Sequence, residues 1–73
     1  MIYYVTTLDG FQLIGFDSIN LAKYKVIELY QSEGLKCNIS FNSYIYGDSG
    51  IKRIRPNTIK FDNILKQFEN DII

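Results

Sequence analysis

Ser49 lies within Gly47-Asp48-Ser49-Gly50, a setting in which a serine hydroxyl could attack a carbonyl if a base took its proton. Serine is a weak nucleophile at its free pKa and needs such a base beside it, most often histidine. The chain contains no histidine, so a Ser-His-Asp triad cannot be assembled. Lys52 is the remaining candidate base, and a Ser-Lys pair would still require an oxyanion hole and a cleft. The flanking residues alternate as strands do, and Gly, Asp and Ser are turn formers. The glycines accept positive φ, while Asp and Ser bond local backbone amides. Ser49 is therefore expected in a loop, without a catalytic role.

The four residues are similar to the start of the serine motif of chymotrypsin-like proteases, but that motif continues with glycine where this chain has Ile51. Seventy-three residues cannot supply two packed barrels either, so nothing carries over. Gly47-x-x-Gly50 is also similar to the GXXG loop of KH-type RNA-binding domains. That loop joins two helices, whereas this one joins two strands, which rejects the match. The same placement removes a phosphate-cradling loop, because no helix N-terminus follows to supply its dipole.

Metal chemistry has little to draw on. Cys37 is the single cysteine and falls on an apolar strand face, so no metal or cofactor site is expected. Asp9, Asp48 and Asp62 occupy turn or cap positions that local hydrogen bonding explains. The chain is expected not to be an enzyme.

These residues need elements to hold them. A chain of 73 residues allows one domain, spanning 1–73. Residues 2–8 are β-branched and aromatic, Asp9-Gly10 interrupts, and Phe11 to Phe16 resumes the pattern. Asp-Gly between two such runs signals a hairpin. A two-residue loop would set Leu8 opposite Phe11 and Thr6 opposite Leu13. One face would carry Ile2, Tyr4, Thr6, Leu8, Phe11 and Leu13, the other Tyr3, Val5, Thr7, Gln12, Ile14 and Phe16. Both are apolar enough to need cover.

Asp17-Ser18 offers an N-cap, and helical spacing then runs to Glu33, with Gly34 as the stop. Ile19, Ala22, Val26, Leu29 and Tyr30 form its apolar stripe. Leu21 and Tyr24 fall on the other side and are candidates for a contact surface. From Lys36 to Tyr46 the chain alternates: Cys37, Ile39, Phe41 and Ile45 point one way, Asn38, Ser40, Asn42, Tyr44 and Tyr46 the other. A short strand from Ile51 to Arg55 follows, halted by Pro56. Asn57 or Thr58 (less readily Asp62) would then cap a last helix with the stripe Phe61, Ile64, Leu65, Phe68 and Ile72. The order β-β-α-β-β-α predicts a small α+β domain, with two hairpins in one antiparallel sheet and both helices on one face.

A four-residue Gly47–Gly50 loop would pair Tyr46 with Ile51, Tyr44 with Arg53 and Asn42 with Arg55. Tyr44, Tyr46, Ile51, Arg53 and Arg55 would share an outward face, while Ile54 joined the core. Tyr and Arg together suit a protein-binding hot spot or, by stacking and phosphate contact, a nucleic acid. They also suit a plain solvated sheet face. Eight basic residues balance eight acidic ones, which disfavours a general nucleic-acid binder. Lys52, Arg53, Arg55 and Lys60 nevertheless cluster.

No basic, apolar leader opens the chain and no run approaches membrane-spanning length. With one unpaired cysteine, a reducing cytoplasm is the expected location. Twelve Ile, six Asn and six Tyr against one Ala indicate an AT-rich coding genome. In size, neutrality and lack of catalytic residues the chain resembles accessory proteins of phages and mobile elements, which often bind and inhibit a host or defence protein. The expected function is a non-enzymatic protein-binding module of that kind. The alternatives are a nucleic-acid-binding accessory protein and a structural homo-oligomer, the latter through the apolar first hairpin, which also makes a homodimer plausible.

Overall fold

The first two strands, Tyr3–Thr7 (β1) and Gln12–Phe16 (β2), are joined by a turn that is tighter on one side than the other. We describe the chain from a computed structural model covering residues 1–72; the side chain of Ile72 and all of Ile73 lie outside the described residues. Gly10 donates its amide to the Thr7 carbonyl at 3.0 Å, and Thr7 donates to the Phe11 carbonyl at 2.9 Å. Thr7 thus stands opposite Phe11 across three residues, not two, and only Gly10 of the three has positive φ (98°). This is the three-residue hairpin with glycine in the left-handed position, where the Asp-Gly pair favoured a two-residue turn. Thr6 consequently faces Gln12, and the expected Leu8–Phe11 and Thr6–Leu13 pairs do not form. Leu13 is then an extra residue in β2, which restores Val5–Ile14, Tyr4–Gly15 and Tyr3–Phe16 as the alternation requires.

Helix α1 (Ile19–Glu33) follows at once. Ser18 occupies the N-cap position with extended backbone but gives no side-chain hydrogen bond. Gly34 closes the helix at φ 67° and donates to the Tyr30 carbonyl, while Leu35 donates to that of Leu29. This is the paired C-terminal bonding that a left-handed glycine permits. Ala22 and Val26 are fully buried, and Leu29 and Tyr30 pack beside them. Ile27 is buried as well. Its position widens the stripe toward the second helix, which the single-stripe expectation did not include.

Strands β3 (Cys37–Gly47) and β4 (Gly50–Ile59) form the second hairpin, and helix α2 (Phe61–Ile72) follows. The four strands make one antiparallel sheet in the order β2-β1-β3-β4. Val5, Cys37 and Ile39 of the sheet meet Ala22, Val26, Ile27, Phe61 and Ile64 in a single core, so both helices lie on one face. Tyr3 and Phe41 pack as tilted rings across β1 and β3 at 5.1 Å, and Tyr30 meets Phe61 at 4.9 Å, also tilted. The protein is therefore a small α+β domain with the predicted element order. Phe61 and Ile64 are buried and Leu65 and Phe68 pack on the core, as the stripe on α2 required.

Two boundaries differ from expectation. Pro56 does not halt β4, which continues to Ile59 with Pro56 opposite Asn42. An edge strand tolerates proline because its outer side makes no ladder bond. Asn57 and Thr58 therefore lie in the strand instead of capping α2. The cap comes from across the sheet: the Phe61 amide donates to Asn38 Oδ1 at 2.9 Å.

Candidate functional site

β1 pairs with β3 only along Cys37–Ser40, whereas β4 follows β3 all the way from Ile39 to Gly47. Beyond Phe41 the second hairpin is a two-stranded arm with no third strand. The molecule is correspondingly long, 46 × 28 × 18 Å, with a radius of gyration of 13.8 Å. A compact chain of this length would have about 11 Å.

The arm's register decides which side chains share a face. Gly47 pairs with Gly50 across a two-residue turn, Asp48-Ser49, and Gly50 takes φ 119°. Ser49 is thus an exposed turn residue at the tip of the arm. Tyr46 faces Ile51 as expected, but Lys52 is an extra residue, so Ile45 pairs with Arg53, Tyr44 with Ile54 and Ser43 with Arg55. One inserted residue moves every later side chain to the other face. The Lys52 stem lies against Gly47, where a Cβ would sit 2.8 Å from Lys52 Cδ. Asn57 Nδ2 donates to Ser43 Oγ at 2.7 Å on the same side as Arg55.

The expected surface of Tyr44, Tyr46, Ile51, Arg53 and Arg55 therefore separates into two. Tyr44, Tyr46, Ile51 and Ile54 occupy one face, with Tyr46 70% and Ile54 57% exposed. Ile54, expected in the core, stands in solvent instead. Arg53 and Arg55 share the reverse face with Ile45 and the Lys52 stem, and they too are exposed. Among the described residues neither arginine forms a salt bridge; the ion pair present is Lys25–Glu28 on α1. No pattern in residue type announces the extra residue, because a bulge meets the twist of a ribbon and not a side-chain preference.

Leu21 and Tyr24 form a separate group on α1, 50% and 69% exposed. Tyr24 borders a groove between the helices, beside Ile27, Ile64 and Phe68, and Lys23 Nζ bridges that groove to Gln67 Oε1 at 2.8 Å. Leu21 does not line that groove. The open face of the sheet is polar at its centre, where Thr6, Gln12, Asn38, Ser40 and Thr58 gather.

Cys37 is fully buried. Burial, and secondarily the nearby Glu33 carboxylate, push its thiol pKa upward, which disfavours the thiolate that would react or bind metal. Among the described residues no group of three or more Cys, Asp or Glu side chains is placed to hold a metal ion. No helix among them is long and apolar enough to cross a membrane. No family model, curated protein or solved structure matches this chain.

Proposed function

We propose that this chain is a non-enzymatic protein-binding module whose contact element is the projecting β3–β4 arm. The observation that carries the reading is the arm's uncovered face of Tyr44, Tyr46, Ile51 and Ile54. An isolated two-stranded ribbon is at best marginally stable in water, and exposed Tyr and Ile side chains contribute most once a partner desolvates them. The total accessible surface is 5512 Å², against roughly 4,700 Å² for a typical folded monomer of this mass. That excess is surface available for a partner to cover.

The register favours a protein partner over a nucleic acid. Base stacking with phosphate contact needs aromatics and cations side by side, whereas here they lie on opposite faces of the arm. The module works by occupying a partner's surface, the mode of action of an inhibitor that performs no turnover.

The test is capture from lysate after nuclease treatment, comparing the wild type with Tyr44→Ala/Tyr46→Ala and with Arg53→Ala/Arg55→Ala. The Tyr pair is expected to abolish capture of a protein, and the Arg pair to weaken it several-fold at most. Capture that vanishes with nuclease, or that depends on the arginines and falls steeply with salt, would instead make the protein a nucleic-acid binder.

A further inference from the structure

We infer that the β2 edge of the sheet pairs, antiparallel and about a two-fold axis, with β2 of a second copy of the chain. This inference is independent of the arm. The two margins of the sheet are built differently. β4 carries Lys52, Arg53, Arg55 and Pro56 and an extra residue at Lys52, the features by which proteins keep an edge strand from recruiting another. β2 carries none of the first two kinds: Phe11 to Phe16 holds no charge and no proline. It shares with β4 an extra residue, Leu13, but where the bulge in β4 carries a lysine this one carries an apolar side chain, so no charge stands at the margin to block pairing. Gln12 through Gly15 are all exposed, and β2 is hydrogen-bonded on one side only, to β1.

A second copy fits this edge in charge and in area. Antiparallel self-pairing sets neutral residues against neutral residues, so no like charges oppose each other along the strand. Leu8, Phe11, Leu13 and Ile14 are 60%, 71%, 48% and 42% exposed, and Ile2 beside them 45%. A Phe side chain presents roughly 200 Å² when free and a Leu or Ile about 120 Å², so full coverage in two copies would bury roughly 750 Å² of apolar surface, which the paired strand backbones bring to the low end of specific interfaces. The Ile2 side chain adds to the seam on the open face, where it lies against Gly15, 3.0 Å from where a Cβ would be, while Ile14 borders the seam on the helix face beside Val5. Pairing one strand with itself is necessarily isologous. It doubles the four-stranded sheet to eight strands and leaves both arms free at the outer ends.

Sedimentation equilibrium of wild type, Leu13→Lys and Leu21→Lys tests the inference, with circular dichroism as the check on folding. Wild type and Leu21→Lys are expected to dimerise alike. Leu13→Lys, which places two like charges near the axis, should raise the dimer dissociation constant by about 100-fold or more. A monomeric wild type at millimolar concentration would overturn the inference. So would a Leu13→Lys dimer as tight as the wild type, or a dimer dissolved by Leu21→Lys. If Leu13→Lys fails to fold, amide exchange on the wild type decides: β2 amides gain protection with rising concentration if the edges pair, and are unchanged if they do not.

Discussion

Asn38 of β3 caps helix α2, its Oδ1 accepting the Phe61 amide at 2.9 Å across twenty-three residues of sequence. A helix N-terminus leaves its first amides without internal partners, and here a strand side chain satisfies one of them. The link ties α2 to the sheet at the point where Phe61 enters the core. Asn38→Ala should therefore destabilise the protein by about 1 kcal/mol. Asn38→Asp keeps the acceptor and adds a negative charge at the positive end of the helix dipole, so it should be neutral or slightly stabilising. Urea midpoints of the two variants check this, and equal losses would remove the capping role.

Gly15 is held by space, not by backbone conformation, since its φ is not positive. A Cβ there would stand 3.0 Å from Tyr4 Cε1 and 3.0 Å from Ile2 Cγ2, so the Tyr4 ring lies over the glycine on the open face. Gly15→Ala should cost roughly 1 kcal/mol by crowding. In a Tyr4→Ala background, where Ile2 Cγ2 alone still stands at 3.0 Å, the same substitution should cost less, and alanine's smaller loss of chain entropy offsets part of the remainder. A double-mutant cycle by thermal unfolding measures the coupling; strict additivity would refute it.

Cys37 should resist a thiol reagent in the native protein and react only on unfolding. Its pKa is raised in the folded state by burial, then by Glu33. The folded protein therefore holds the thiol proton more tightly than the unfolded chain does. This contribution is fully present below the unfolded thiol's pKa, about 8.5, and is lost as pH rises through the higher folded value. The stability gap between wild type and Cys37→Ala should stay constant up to about pH 8 and narrow above it. Rapid labelling at neutral pH, or a gap that does not change with pH, would contradict the placement.

The element order was legible in the sequence because each element carries its own local pattern. Cys37, Ile39 and Phe41 alternate toward the core, Gly34 stops α1, and Phe61, Ile64, Leu65 and Phe68 repeat at helical spacing. What stayed hidden depends on relations between elements. The extra residues Leu13 and Lys52 answer to strand twist, and the second of them parted Tyr44 and Tyr46 from Arg53 and Arg55. Pro56 reads as a stop until β4 is known to be an edge strand. Asn38 cannot be recognised as a cap before β3 is placed beside the start of α2. The aromatic half of the candidate surface was therefore visible by residue type, and its neighbours were not.

The arm should be dispensable for folding and required for binding. The buried core draws on Val5, Ala22, Val26, Ile27, Cys37, Ile39, Phe61 and Ile64, and none of these lies between Asn42 and Pro56. Replacing residues 44–54 with Asn-Gly would close the hairpin at the Ser43–Arg55 pair with a turn that suits two antiparallel strands. The shortened chain should unfold cooperatively with a stability within about 1 kcal/mol of the parent, since surface changes away from the core cost little. The radius of gyration of its monomer, measured by solution scattering at dilutions where the dimer dissociates or in the Leu13→Lys background, should fall from 13.8 Å toward about 11 Å. Partner capture should disappear, while dimerisation through β2 persists. An unfolded product would show that Tyr44, Tyr46, Ile51 and Ile54 support the body of the protein, and a folded product that still captured its partner would move the contact surface to Leu21 and Tyr24 on α1.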